Sequence, residues 1–152
     1  MRGRTKLLMG GGVVVIGAFV YVAILPLLPQ PHLAPSYVAA YANKVAFLQL
    51  TQTGSTLVGT MQVAEYEAST DQVATETWEV SGTDSGGSIT FTITAPSGSA
   101  TYSGAVVNGD IRIYGMNSKG IVGYTLYAPA PASTFDGDVN YLYQKAQQAP
   151  RG

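Results

Sequence analysis

Residues 44–67 read KVAFLQLTQTGSTLVGTMQVAEYE. Two runs rich in Val, Leu, Thr, Phe and Tyr, KVAFLQLTQ and TLVGTMQVAEYE, stand on either side of a short polar break, TGS. Such residues suit a pleated, half-buried surface, and a brief Gly-containing break between two such runs makes them antiparallel partners. The stretch predicts a β-hairpin, and the chain downstream repeats its texture.

After a polar loop, ASTDQV (68–73), ATETWEVSG (74–82) supplies a third strand. SITFTITA (88–95) alternates strictly, with Ile89, Phe91 and Ile93 on one face and Thr90, Thr92 and Thr94 on the other, as in a strand with one face buried. ATYSGAVV (100–107) and DIRIYG (110–115) are joined by Asn108-Gly109, the dipeptide favoured in type I′ hairpin turns. GIVGYTLYA (120–128) reads as a last strand. Seven strands in sequence order with no long crossover predict an antiparallel meander over residues 44–132, closed as a small barrel or folded as a sandwich.

The C-terminal part changes period. In TFDGDVNYLYQKAQQ the residues Phe135, Val139, Leu142, Tyr143 and Ala146 form one stripe at helical spacing, which predicts a helix over 133–148 packed across an end or a face of the sheet. Ser133 followed by Asp136 resembles a capping box, with Asp in place of Glu. Gly137 lies inside this helix and weakens it by about 1 kcal/mol of propensity.

Upstream of the hairpin, SYVAAYA (36–42) is expected to form a short helical turn, with Tyr37 and Tyr41 suited to a membrane interface. It belongs to a Pro-rich linker, 29–43, that the prolines 29, 31 and 35 hold extended. Before it, Leu7 to Leu28 carries no charged side chain over 22 residues. As a helix this run is about 33 Å long, enough for a bilayer core of about 30 Å and longer than the apolar part of a cleavable signal. A small-x-small site, Ala40-Tyr41-Ala42, lies well beyond the run, so the segment is read as a retained signal anchor, a single transmembrane helix over 7–28.

Arg2, Arg4 and Lys6 precede the span in a basic tail, 1–6, so the N-terminus is expected in the cytoplasm and the β domain outside it, at the cell membrane. Gly10 with Gly17, and Gly11 with Ala18, recur at i, i+7 and mark a candidate helix-packing face, although no GxxxG is present.

Charge and composition exclude several kinds of chemistry. Residues 29–152 hold five basic side chains against all nine acids, a net of −4, and lack the basic patch of a nucleic-acid binder. There is no cysteine, hence no disulfide, thiolate metal site or thiol nucleophile. The single His, His32, lies among prolines outside the β domain, so no Ser-His-Asp triad can form within it. Glu65 and Glu67 share one strand face and Glu76 and Glu79 lie on the next strand, but solvated strand carboxylates explain them better than a glycosidase pair. Asp136 and Asp138 fit helix-start acids better than a calcium loop. No catalytic, cofactor-binding or metal-binding residue is assigned, and no enzyme activity is expected.

The run VAFLQLTQTGSTLVGTMQ (45–62) resembles the opening hairpin of a loose group of uncharacterised bacterial membrane-anchored or exported proteins, in which an F-[IL]-Q-[LW]-T-Q-x-G strand and turn leads into [LV]-x-G-x-[LM]-Q. The resemblance covers most of residues 45–147. It implies an N-terminal span joined to a Thr/Ser/Gly-rich β domain that ends in a short helix, and it implies no activity. LTQTGSTLVGT, TWEVSG and TYSGAVVNG are also similar in texture to calycin-like barrels such as the avidin group, from which no ligand-contacting residue is carried over.

What remains is aromatic. Tyr66, Trp78, Tyr102, Tyr114 and Tyr124 are candidates for an interaction surface, because a small sheet has little room for so many rings in its core. Two readings stand open. In the first, the outer β domain is non-enzymatic and contacts other membrane or envelope proteins, as an accessory subunit of a larger membrane complex. In the second, a calycin-like barrel tethered to the membrane binds a small ligand, which requires a closed barrel with an aromatic-lined cavity rather than a filled core.

Overall fold

A computed structural model describes residues 33–116 and 120–148. The chain is mainly β, a closed eight-stranded antiparallel barrel with a C-terminal helix. The strands run in sequence order: β1 (Ser36–Ala40), β2 (Lys44–Thr53), β3 (Thr56–Glu67), β4 (Gln72–Ser85), β5 (Ser88–Ala95), β6 (Gly98–Val107), β7 (Asp110–Met116) and β8 (Val122–Pro129). The helix α1 is Ala132–Gln148. No helix among the described residues is long and apolar enough to cross a membrane. The apolar run Leu7–Leu28, with Gly10, Gly11, Gly17 and Ala18, lies outside the described residues, as does His32.

The hairpins form as their turn residues dictate. Asn108 and Gly109 both take positive φ, 56° and 89°, the type I′ geometry whose twist matches the flanking strands. On β5 the alternation holds, with Ile89 and Phe91 buried and Thr90 and Thr94 exposed.

One expected element is different. SYVAAYA is not a helical turn in a linker. Its first five residues form β1, which pairs with β2 along its length and with β8 at Tyr37↔Pro129 and Val38↔Ala128. This eighth strand closes the barrel, so the β domain begins at Ser36 rather than Lys44. Tyr37 is 1 % exposed and packs in the core, not at a membrane interface.

The interior core runs from Tyr37 and Ala39 through Leu48, Leu50, Leu57, Val80, Ile89, Phe91 and Ile111. A second cluster lies outside the barrel wall, where α1 covers β1 to β4. Phe135 and Leu142 pack on Val38, Val45, Phe47 and Ala64, and the Phe47 and Phe135 rings stack with centroids 5.5 Å apart. The middle of β1 and the first half of β2, as far as Leu48, are therefore buried on both faces. Lys145 ties the far part of α1 to the β1–β2 turn, donating to Asn43 Oδ1 at 2.6 Å and Ala42 O at 3.3 Å.

The helix start also differs from expectation. It begins at Ala132, with Thr134 N–H bonded to Pro131 O, so Ser133 is already inside it and makes no capping box. Asp136 and Asp138 consequently fall beyond the first turn, where the helix dipole gives them little.

One end of the barrel is sealed. The segment before β1 lies against it, with Leu33 and Ala34 packed on the core. Asp84, 1 % exposed, accepts from Gly87 N–H at 2.8 Å and from Gln52 Nε2 at 3.2 Å, while Gln52 Oε1 accepts from Leu33 N–H. Ala34 N–H donates to the Tyr37 hydroxyl at 2.8 Å. These bonds join the incoming segment, the β2–β3 turn and the β4–β5 turn into a floor, and they satisfy a carboxylate that burial would otherwise penalise.

Candidate functional site

The opposite end, where β1 turns into β2 and β3 into β4, is open. Inward-facing residues near this mouth leave a hollow of about 400 Å³, lined by Tyr41, Ala46, Met61, Trp78, Tyr102 and Tyr127 among others. Eight strands enclose an interior just wide enough to be filled by side chains or to hold one small ligand. Here the lower half is filled and the upper half is not.

The register explains the placement. Opposed residues on antiparallel strands share a face, so Met61↔Trp78, Phe91↔Tyr102 and Ile111↔Tyr127 all point inward. The paired Gly115 and Gly123 stand at inward positions of β7 and β8 and put no side chain on the rim. There the cavity meets a second, shallower hollow of about 360 Å³ against Tyr114 and Tyr124, the two sharing Tyr102, Ile113 and Thr125.

Polar groups gather at the mouth. Lys44 Nζ meets Glu65 Oε2 at 2.7 Å, a half-exposed pair that contributes little to stability but neutralises the lysine. The Trp78 indole N–H donates to Glu76 Oε2 at 2.8 Å, which fixes the ring at the cavity wall. Deeper in, Tyr127 is 6 % exposed and its hydroxyl donates to Met61 Sδ at 3.8 Å. Among the described residues, no three acidic or His side chains gather closely enough to hold a metal ion.

The five aromatic residues proposed from the sequence divide three ways. Trp78 and Tyr102 line the cavity. Tyr66 lies outside the barrel, packed against the α1 cluster, with its hydroxyl donating to Asp71 Oδ1 at 2.8 Å and the Lys145 amine 5.3 Å from its ring centre. Tyr114 and Tyr124 are an opposed pair on the outer face of β7 and β8, and the Arg112 guanidinium lies over the Tyr124 ring at 5.0 Å. Tyr41, which the sequence assigned to a membrane interface, lines the cavity, as do Tyr127 and Met61, which the sequence did not single out as site residues. For Tyr127 the signal was present, since its parity places it opposite Tyr124 and on the face of Ile111.

Burial holds the Tyr127 phenol well above its ordinary pKa, with the nearby Tyr41 and Tyr102 hydroxyls adding to the effect. Burial also raises Tyr37, against the smaller opposing effect of the Ala34 hydrogen bond. In the unfolded chain both phenols ionise near about 10. Above that pH the unfolded chain releases protons that the barrel retains, so stability is intact below about pH 10 and falls as pH rises beyond it. Alkaline denaturation followed by tyrosinate absorbance is expected to show Tyr37 and Tyr127 ionising only together with unfolding. Tyr127→Phe should flatten the alkaline loss of stability.

Comparison with protein-family models, with curated proteins and with solved structures finds no match to the chain. The functional reading therefore rests on the geometry of the barrel.

Proposed function

We propose that the barrel is a non-enzymatic binding module that takes up one small, largely apolar molecule through its open mouth. The observation that carries this reading is the cavity of about 400 Å³ beneath that mouth, walled by Trp78, Tyr41, Tyr102 and Tyr127 and closed below by the Gln52–Asp84 floor. A pocket of this size, mostly apolar with a few polar groups, is the usual form of a small-molecule site. A closed meander is also the architecture expected from the calycin-like resemblance.

The apolar run Leu7–Leu28 tethers the module to a membrane with the barrel outside the cytoplasm. Processing at Ala40-Tyr41-Ala42 would remove β1 and open the barrel, which supports retention of the segment.

The single tryptophan supplies the test. Prodan, an uncharged naphthyl ketone dye, is expected to bind the full chain saturably, with energy transfer from Trp78. Ala46 lines the cavity at 3 % exposure, and Ala46→Phe should reduce that affinity at least tenfold by filling the space. Equal binding by the variant would place the dye elsewhere and remove the support for this reading.

A second reading has its own observation. Tyr114, Val122, Tyr124 and Leu126 expose an apolar strip on the outer face of β7 and β8, away from α1, which favours contact with another membrane or envelope protein. Tyr124→Ala with Leu126→Ala would weaken such a contact and leave dye binding unchanged.

A further inference from the structure

The Tyr127 phenol is buried in the cavity wall, yet its O–H reaches only a thioether sulfur, Met61 Sδ, at 3.8 Å. A thioether is a weak acceptor, and a buried phenol ordinarily finds an oxygen. The buried Tyr37 hydroxyl, by contrast, takes a 2.8 Å hydrogen bond from a backbone N–H. Apart from Lys44 the cavity lining is uncharged: Met61, Val63, Ile93 and Ile113 are apolar, and Tyr41, Tyr102 and Thr125 add only neutral hydroxyls. The nearest cation of the lining, Lys44, stands at the mouth and is held by Glu65.

We propose that the cavity selects a neutral, ring-sized apolar molecule with one acceptor oxygen, a ketone or amide carbonyl, bound oxygen-first against the Tyr127 hydroxyl. The inference rests on the cavity being a ligand site. On binding, the Tyr127 O–H exchanges a poor acceptor for a carbonyl oxygen and leaves Met61 in van der Waals contact with the ligand. A carboxylate would bring a charge into a wall that, among the described residues, has no free cation to meet it, at a desolvation cost the site does not offset. A hydrocarbon would fill the space but leave Tyr127 on sulfur.

The test is competition against prodan on the full chain held in amphipol, read by energy transfer from Trp78. Acetylnaphthalene, ethylnaphthalene and naphthoate share one ring system and differ in the acceptor. Acetylnaphthalene is expected to displace the dye at a concentration about fivefold to tenfold lower than ethylnaphthalene, the worth of one buried hydrogen bond. Naphthoate should be the weakest. Tyr127→Phe should abolish the difference between ketone and hydrocarbon, and Met61→Leu, which removes the competing sulfur, should enlarge it. The second variant keeps the test decisive if the first fails to fold.

Equal displacement by ketone and hydrocarbon, a difference that survives Tyr127→Phe, one that Met61→Leu leaves unchanged, or tightest binding by naphthoate would each overturn the oxygen-first assignment while leaving ligand binding intact. Absence of saturable dye binding to the unaltered chain would overturn both.

Discussion

Gly59→Ala is expected to destabilise the barrel by about 3 kcal/mol or more, a large part of the stability of a domain this size. Gly59 faces inward on β3, where the neighbouring strand comes so close that an added Cβ would run into the Gln49 carbonyl oxygen. That oxygen belongs to backbone held in the β2–β3 ladder, so no side chain can swing aside to make room. Gly82 on β4 is in the same position against the Thr90 carbonyl, and Gly104 on β6 against Arg112 O at 2.6 Å. All three lie at inward positions where the wall coils tightly, the device by which closed barrels turn their corners. Gly137→Ala should do the opposite. Its added methyl meets open space on α1, and the change should stabilise by about 1 kcal/mol through helix propensity. Urea denaturation of the two single variants, with opposite signs expected for one and the same chemical change, checks the argument. Equal small effects would refute it.

Phe135→Ala is expected to cost about 3–4 kcal/mol and to release α1 from the barrel. Phe135 is one of two buried residues of the helix, and its ring stacks on Phe47, itself 3 % exposed. Removing it leaves a void between helix and wall and exposes Val38, Val45 and Ala64 together. The consequence reaches the mouth, because α1 carries Lys145, whose amine holds the β1–β2 turn between Tyr41 and Lys44. Hydrogen exchange should show α1 and residues 41–44 losing protection together in this variant, while β5 and β6 keep theirs. Tyr141→Ala, on the solvent side of the same helix at 64 % exposure, should change stability by less than about 0.5 kcal/mol.

How far the fold could be read from the residues depended on how many faces of each strand meet solvent. β5 was legible because one face is wet, and its Thr and Ile/Phe positions separate by parity. β1 was not, because Tyr37 and Ala39 go into the core while Val38 goes under α1, so no alternation marks it and its paired alanines suit a helix equally well. Missing β1 left seven strands and no means of choosing barrel over sandwich. The apolar stripe of α1 was legible. Its first residue was not, since Pro131 rather than Ser133 receives the first hydrogen bond.

The candidate site was half legible. Trp78 and Tyr102 stood out by residue type, but type does not separate them from Tyr66, Tyr114 and Tyr124, which the register places outside the barrel. Whether the interior is full or hollow depends on side-chain volumes summed across facing strands. Gly115 and Gly123 contribute nothing at the rim, whereas Leu48, Leu57 and Phe91 fill the lower core. No single stretch of sequence carries that sum.

One resonance separates a small molecule bound inside the barrel mouth from one bound on the outer face. The indole N–H of Trp78, the single tryptophan, is one unambiguous NMR resonance at the cavity wall, donated to Glu76 Oε2. Titration of the full chain with prodan is predicted to shift that resonance saturably, together with the backbone signals of Ala46, Met61 and Val63, and to leave those of Tyr114 and Tyr124 in place. Movement of Tyr114, Tyr124 and Leu126 with an unchanged indole signal would overturn binding in the mouth and assign it to the outer face of β7 and β8.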